Sequence, residues 1–199
     1  MKKIIFAALA ASSALIATSA SAQVVSGDVT ITGSVAPKCL VVTGGVPASA
    51  NFAGTIALGE LSQANGTLRT DVESTFDTAA NGLAFQVVCT SGRPTVTVDA
   101  NAIAAQNVAT APAGYARLVH YTANVTFDET PSGSELVSND SLTNAAATSL
   151  QLANRLASGA TNIHIDGANF RTPTAGNTDI LVADVSYEGH ILITISPTA

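Results

Sequence analysis

Tryptophan is absent from the 199 residues, methionine occurs only at position 1, and tyrosine occurs three times. Sites that hold sugars or stack bases are usually built on aromatic side chains, so such a platform has little to work with here. Basic residues are scarce as well. Eight Lys and Arg stand against fourteen Asp and Glu, a net charge of −6. Beyond the first three residues the cations are Lys38, Arg69, Arg93, Arg117, Arg155 and Arg171, scattered singly. Nucleic acid and anionic membrane surfaces both call for clustered cations, so neither is an expected partner. The acidity itself favours solubility.

Chemical motifs are missing too. The three histidines, His120, His164 and His190, show no HxH or HxxxH spacing that would bring two imidazoles to one metal. Each falls on the polar parity of its segment, where solvated histidines belong. No GxSxG elbow, P-loop or dinucleotide fingerprint occurs. Gly44-Gly45 lies in a loop without the helix start that phosphate binding requires. The neighbouring carboxylates Asp71 with Glu73, and Asp128 with Glu129, read as solvated surface. Three sequons, at Asn65, Asn124 and Asn139, are expected by chance in a chain rich in Asn and Thr. No enzyme, no metal and no cofactor is expected.

Long apolar runs are also lacking. The longest, Ile4 to Ile16, is interrupted only by Ser12 and Ser13 and is too short to span a bilayer. It follows Lys2-Lys3 and leads into Ala20-Ser21-Ala22, the layout of a cleavable export signal cut after Ala22. The mature chain then begins at Gln23 outside the cytoplasm. Losing Lys2 and Lys3 takes the net charge from −6 to −8. Residues 23–199 suffice for one domain with a substantial core. In an exported chain the two cysteines, Cys39 and Cys89, pair by default. Closing a loop of about 50 residues restrains the unfolded chain by roughly 4 kcal/mol.

What the chain does have is β-branched residues in period-two patterns. Val119, Tyr121, Ala123, Val125 and Phe127 share one parity. So do Leu83, Phe85, Val87 and Cys89, then Val96 and Val98 after the turn Ser91-Gly92-Arg93-Pro94. Near the end, Leu181, Ala183, Val185 and Tyr187 form one stripe, and Gly189, Ile191, Ile193 and Ile195 the last. The spacing predicts an all-β sandwich or barrel. Residues 43–53 read as a loop or edge and 130–147 as a surface excursion. Residues 148–157 fit a short helix or a strand equally well.

The strictest alternation comes first: Val25, Gly27, Val29, Ile31, Gly33 and Val35 against Ser26, Asp28, Thr30, Thr32 and Ser34, ended by Pro37. This segment is either the first strand of its own domain or a ribbon that completes another copy's open sheet edge. Burying Val25, Val29, Ile31 and Val35 contributes about 6 to 12 kcal/mol, and covering the facing groove adds a similar amount. Ordering some ten residues costs about 10 to 20 kcal/mol, so only a matching apolar groove tips the balance.

The segment VVSGDVTITGSVAPKC, the stretches LGEL (58–61) and GLAFQVVCTSG (82–92), and the strands LVHYTANVTFD (118–128) and YEGHILITISP (187–197) resemble chaperone–usher pilin subunits. The last two of these stretches resemble the spore coat protein U branch of secreted pilins. The resemblance implies an immunoglobulin-like, pilin-type sandwich at 37–199 that lacks its last strand, preceded by a donor extension at 23–36. Val25, Gly27, Val29, Ile31, Gly33 and Val35 would be the donated residues. Cys39–Cys89 would tie the first strand to the second, and Ile191, Ile193 and Ile195 would edge the groove and meet the chaperone. Implied partners are other pilin subunits, a periplasmic chaperone and an outer-membrane usher. The implied destination is the periplasm and then the cell surface, in a pilus supporting adhesion or biofilm formation. Residues 130–177 have no counterpart in these patterns. The alternative expectation is a secreted β-sandwich that binds a ligand such as carbohydrate.

Overall fold

The computed structural model describes residues 26–143, 146–159 and 161–198. The signal-like segment 1–22 and Val25 lie outside the described residues. The chain divides into a unit ending at Ser34 and a compact unit from Val35 to Ala199. In the first unit residues 26–34 belong to no strand, and all of them are exposed. An isolated ribbon has no partner for its backbone groups, which explains why strict alternation alone does not make a ladder.

The second unit is all-β with antiparallel sheets and one short helix. Its strands are β1 (Cys39–Thr43), β2 (Val46–Ser49), β3 (Val87–Cys89), β4 (Thr95–Ala105), β5 (Tyr115–Ala116) and β6 (Leu118–Thr130). Then come β7 (Ser134–Asp140), β8 (Thr148–Gln151), β9 (Arg155–Leu156), β10 (Ile163–Arg171), β11 (Ile180–Leu181) and β12 (Tyr187–Ser196). Helix α1 (Val72–Ala80) falls between β2 and β3. One sheet runs β2-β1-β3 and the larger one β10-β6-β4-β12, with β7, β8 and β9 added at its flanks. The two-residue pair β5–β11 is parallel.

Period-two patterning builds the core as β-pleating requires. Val96 and Val98 of β4 and Val119, Ala123, Val125 and Phe127 of β6 are fully enclosed, with Ile163 of β10 against them. β6 departs from alternation at one end. His120 is buried beside Val119 and Tyr121, not solvated, because both faces are covered there. Burial pushes its imidazolium pKa below the ordinary value. Its Nδ1 lies 3.5 Å from Ser141 Oγ.

Several segments differ from the sequence pattern. Residues 134–140, expected as a polar excursion, form β7 along β6. The undecided stretch 148–157 supplies the short strands β8 and β9. The stripe from Leu181 to Tyr187 is strand only at its two ends, Leu181 in β11 and Tyr187 in β12. Val185 is wholly exposed, because residues 183–185 join no ladder. Residues 43–53 contain the hairpin turn Gly44-Gly45, with both glycines at positive φ, and β2.

Helix α1 presents Val72, Phe76 and Ala80 at intervals of four, all buried. Phe76 packs 5.5 Å from Phe170 and 6.1 Å from Tyr121. Its polar side chains close one edge of β10: Asp77 Oδ1 accepts the Gly167 N–H at 2.9 Å, and Glu73 Oε2 accepts the Asn169 N–H at 3.1 Å. Glycine is required at 167, since a Cβ there would sit 2.7 Å from Phe76 and 2.8 Å from Phe170. Edge amides that would otherwise invite another strand are thereby used within the chain.

Cys39 and Cys89 are bonded and directly opposite in the β1–β3 ladder, at a sequence separation of 50. The bond closes a loop that includes α1. Removing it in a Cys39→Ser/Cys89→Ser chain is expected to lower stability by about 4 kcal/mol, roughly 8 to 16 °C in melting temperature. Thermal unfolding followed by circular dichroism, with and without reductant, checks this. An unshifted midpoint would remove the disulfide from the stability account.

Asp140, at the end of β7, shows a second tie. Arg171 Nη2 reaches both its oxygens, at 2.7 and 2.8 Å, and the N–H groups of Leu142 and Thr143 donate to it. Burial alone would raise its pKa. The guanidinium, those two N–H groups and the Thr122 hydroxyl outweigh burial and hold it at about 2. Because the folded value is depressed, the stabilisation is present above the unfolded pKa and lost as pH falls toward the folded one. About 2 kcal/mol is therefore expected to disappear between pH 5 and 2. An Asp140→Asn chain, weaker at neutral pH, should lose correspondingly less over the same range.

Candidate functional site

Side chains that could carry chemistry are dispersed. His164 Nε2 lies 2.9 Å from Asp128 Oδ2 on the surface, and His190 lies 3.9 Å from Glu188 on exposed β12. Glu129 is buried, not solvated as the sequence suggested. It accepts the backbone N–H and the side-chain amide of Asn154. Asp71 and Glu73 flank the helix start and are engaged by Arg69 and Asn169. Among the described residues no three His, Cys, Asp or Glu are placed to hold a metal ion. Nor is any helix there long and apolar enough to cross a membrane. Of the sequon asparagines, Asn65 is exposed in a turn, whereas Asn124 is half-buried on β6 and Asn139 is enclosed.

A cleft of about 1600 Å³ lies between β12 and the segment Phe52–Ser62. That volume exceeds the roughly 300 to 1,000 Å³ of small-molecule pockets and suits an extended chain better. Its floor is apolar: Phe76 from α1, Leu83 and Phe85 before β3, Ile103 from β4, Tyr121 from β6 and Ile165 from β10. One side carries Tyr187, Gly189, Ile191 and Ile193 of β12. On this strand the inward residues alternate but are only half-buried, Ile195 included. The core's apolar surface is thus left incompletely covered along this strand.

The opposite wall has no secondary structure. Phe52, Ile56 and Leu58 turn inward while residues between them are exposed. Phe52 meets Phe85 at 4.8 Å between ring centroids. Gly54 passes so close that a Cβ would lie 2.9 Å from Leu83. Among the described residues, Phe52–Glu60 joins no ladder, and β12 pairs along one edge only, with β4. Two backbone lines that join no ladder on this side therefore flank a trough with an apolar floor. That is the surface a further β-strand needs on both sides.

Electrostatics bias the rim. Glu60, Asp184 and Glu188 line it, with no Lys or Arg among the lining residues. Asp184 ties the mouth loop by accepting the Asn107 side-chain and backbone N–H groups at 2.7 Å each. The Asn107 side-chain amide first, and then the Ser186 N–H, hold its carboxyl below the usual range. On the floor, burial pushes the Tyr121 phenol far up, with Asp99's charge adding to it, so it remains a donor. It gives its proton to the His190 carbonyl of β12 at 3.2 Å.

Comparison of the chain with protein-family models, with curated proteins and with solved structures yields no match.

The structure brings Ile191 and Ile193 into the cleft, and Ile195 continues the same half-buried face beyond it. Of the alternating segment, Val29, Ile31 and Val35 are exposed at 85%, 92% and 78%. Gly27 and Gly33 would meet nothing within 4 Å if they carried a Cβ. The wall formed by Phe52, Ile56 and Leu58 escaped the sequence pattern, as did the part of Arg69 described below. Spacings of four and then two match neither a strand nor a helix.

Proposed function

We propose that this chain is an exported structural subunit of a surface fibre, joined copy to copy by strand donation. In this reading the domain is a pilin-type, immunoglobulin-like sandwich lacking one strand, and the extension of one copy lies in the cleft of the next. The observation that carries it is the pairing of two complementary surfaces. One is a cleft with an apolar floor and, on either side, a backbone edge that joins no ladder there. The other is an extension whose alternate apolar side chains are almost wholly exposed.

Lengths agree. β12 has ten residues, about 33 Å of strand, and the extension from Ser26 to Ala36 can reach about 36 Å. Direction favours a second copy. The root of the extension is held at the far end of β12: Thr90 Oγ1 donates to the Ala36 carbonyl, while neighbouring Ser91 bonds Thr198. Folding back into its own cleft, the extension would run parallel to β12, the slightly weaker pairing. Another copy's extension is free to enter antiparallel. A periplasmic chaperone covering the cleft before assembly, an outer-membrane usher, and adhesion or biofilm formation by the fibre complete the proposal. No catalytic role is part of it.

The test is the mature chain on unboiled gels, where a ladder that collapses on heating is expected. A chain lacking residues 23–36 should form no ladder and should depend on a chaperone or an added extension peptide. If the shortened chain folds unaided as a stable monomer, strand donation is wrong.

A further inference from the structure

We propose that Arg69 is the positioning residue of the cleft: its guanidinium clamps the unpaired wall and so sets the edge against which an incoming strand docks. This rests on the strand-acceptor reading above. Every guanidinium proton has a partner. Nε donates to Asp71 Oδ1 at 2.8 Å, and Nη2 donates to Asp71 Oδ2 at 3.0 Å and Thr75 Oγ1 at 2.9 Å. Nη1 donates to the wall itself, to the Glu60 carbonyl at 2.6 Å and the Leu58 carbonyl at 3.3 Å. Asp71 and Thr75 belong to the start of α1, and Phe76 of the same helix is part of the cleft floor. One side chain thus couples wall to floor.

The clamp matters because little else holds this stretch. Phe52–Glu60 has no ladder, and its Leu58 and Glu60 carbonyls are those that Arg69 takes. Beyond it, the Arg69 N–H donates to the Leu61 carbonyl at 2.9 Å and Glu60 bonds Ser62, closing the turn that follows. Apolar contacts of Phe52 and Gly54 hold the other end. A wall fixed by a few side-chain contacts is shaped before a strand arrives, yet its own backbone amides stay free for that strand. Lysine cannot substitute. Its three N–H groups sit on one nitrogen, and the planar fork that reaches a carboxylate, a hydroxyl and two carbonyls at once is lost.

The experiment compares the mature chain with Arg69→Lys and, to change the cation's partners instead, with Thr75→Ala and Asp71→Asn. The wall is read by chymotrypsin cleavage after Phe52 and Leu58, the core by amide exchange in β4 and β6, and function by the lifetime of the multimers. In Arg69→Lys, cleavage in the wall should rise about tenfold to a hundredfold and multimers should dissociate about tenfold faster. Exchange in the core should be unchanged, and Thr75→Ala and Asp71→Asn should show smaller effects of the same kind. Unchanged cleavage, or a loss of protection spread equally through the core, overturns the clamp. Should the unaltered chain form no multimers, strand donation fails instead, and cleavage in the wall still decides what Arg69 does.

Discussion

A chain carrying Ile31→Asp, mixed one to one with a chain carrying Ile193→Asp, is expected to stop at a dimer. Each alone should form no multimers. Ile31 is 92% exposed on the extension, so an aspartate there leaves the domain untouched but brings a carboxylate into another copy's apolar cleft. Ile193 is half-buried on the cleft side of β12, so an aspartate there spoils the receiving surface and leaves the extension intact. Placing an unpaired charge against apolar side chains costs several kcal/mol, so each block should weaken joining by about a thousandfold or more. In the mixture only one productive contact remains: the intact extension of the Ile193→Asp chain entering the intact cleft of the Ile31→Asp chain. The product has no usable extension at one end and no usable cleft at the other. Sedimentation or size exclusion coupled to light scattering reads the outcome. Ladders in either single variant, or no dimer in the mixture, would show that extension and cleft are not partners. Formation of the dimer also shows that Ile193→Asp is folded well enough to present its own extension.

What the sequence made legible was whatever has a strict period and a neighbour to pair with. The stripe from Val119 to Phe127 alternates, pairs with β10 and β7, and becomes the enclosed centre of the domain. The stripe from Leu181 to Tyr187 alternates as cleanly but joins a ladder only at its two ends, so Val185 between them points into solvent. Alternation specifies which face is apolar, and only a neighbouring backbone makes it a strand. Helix α1 was hidden because Val72, Phe76 and Ala80 are its only apolar contacts, set among Ser, Thr and Asp that favour turns as readily. β7 was hidden for a different reason. Its buried face includes Asn139, whose side chain accepts the Ala100 N–H and donates to the Ala146 carbonyl, so polarity there marks a stitched interior. For the cleft, one half was readable as the Ile191, Ile193, Ile195 stripe. The other half depends on Arg69 finding carbonyls nine and eleven residues earlier in the chain, which no local pattern encodes.

Asn162→Ala is expected to be the most damaging single change in the domain core. Asn162 is fully enclosed just before β10 and stands in for a strand residue beside β3. Its Oδ1 accepts the Val87 N–H at 2.9 Å, and its Nδ2 donates to the carbonyls of Val87 and Ala157, both at 2.7 Å. Alanine leaves all three backbone groups without these bonds, the two of Val87 away from water. At 1 to 3 kcal/mol for each, the loss is about 4 kcal/mol or more, a fall of roughly 8 to 16 °C in melting temperature. Asn162→Asp discriminates further. An ionised aspartate still accepts from Val87 but sets a negative charge against two carbonyl oxygens, so its folded pKa is raised. It is then less destabilising when protonated, since the acid can donate to one of them. Its stability should recover as pH falls from 7 toward 4, opposite in sign to the loss that Asp140 brings at lower pH. Equal stability of Asn162→Asp at pH 7 and pH 4, or an Asn162→Ala chain melting within two or three degrees of the original, would mean that water or a shifted backbone satisfies these groups. The side-chain amide would then not be what joins β3 to β10.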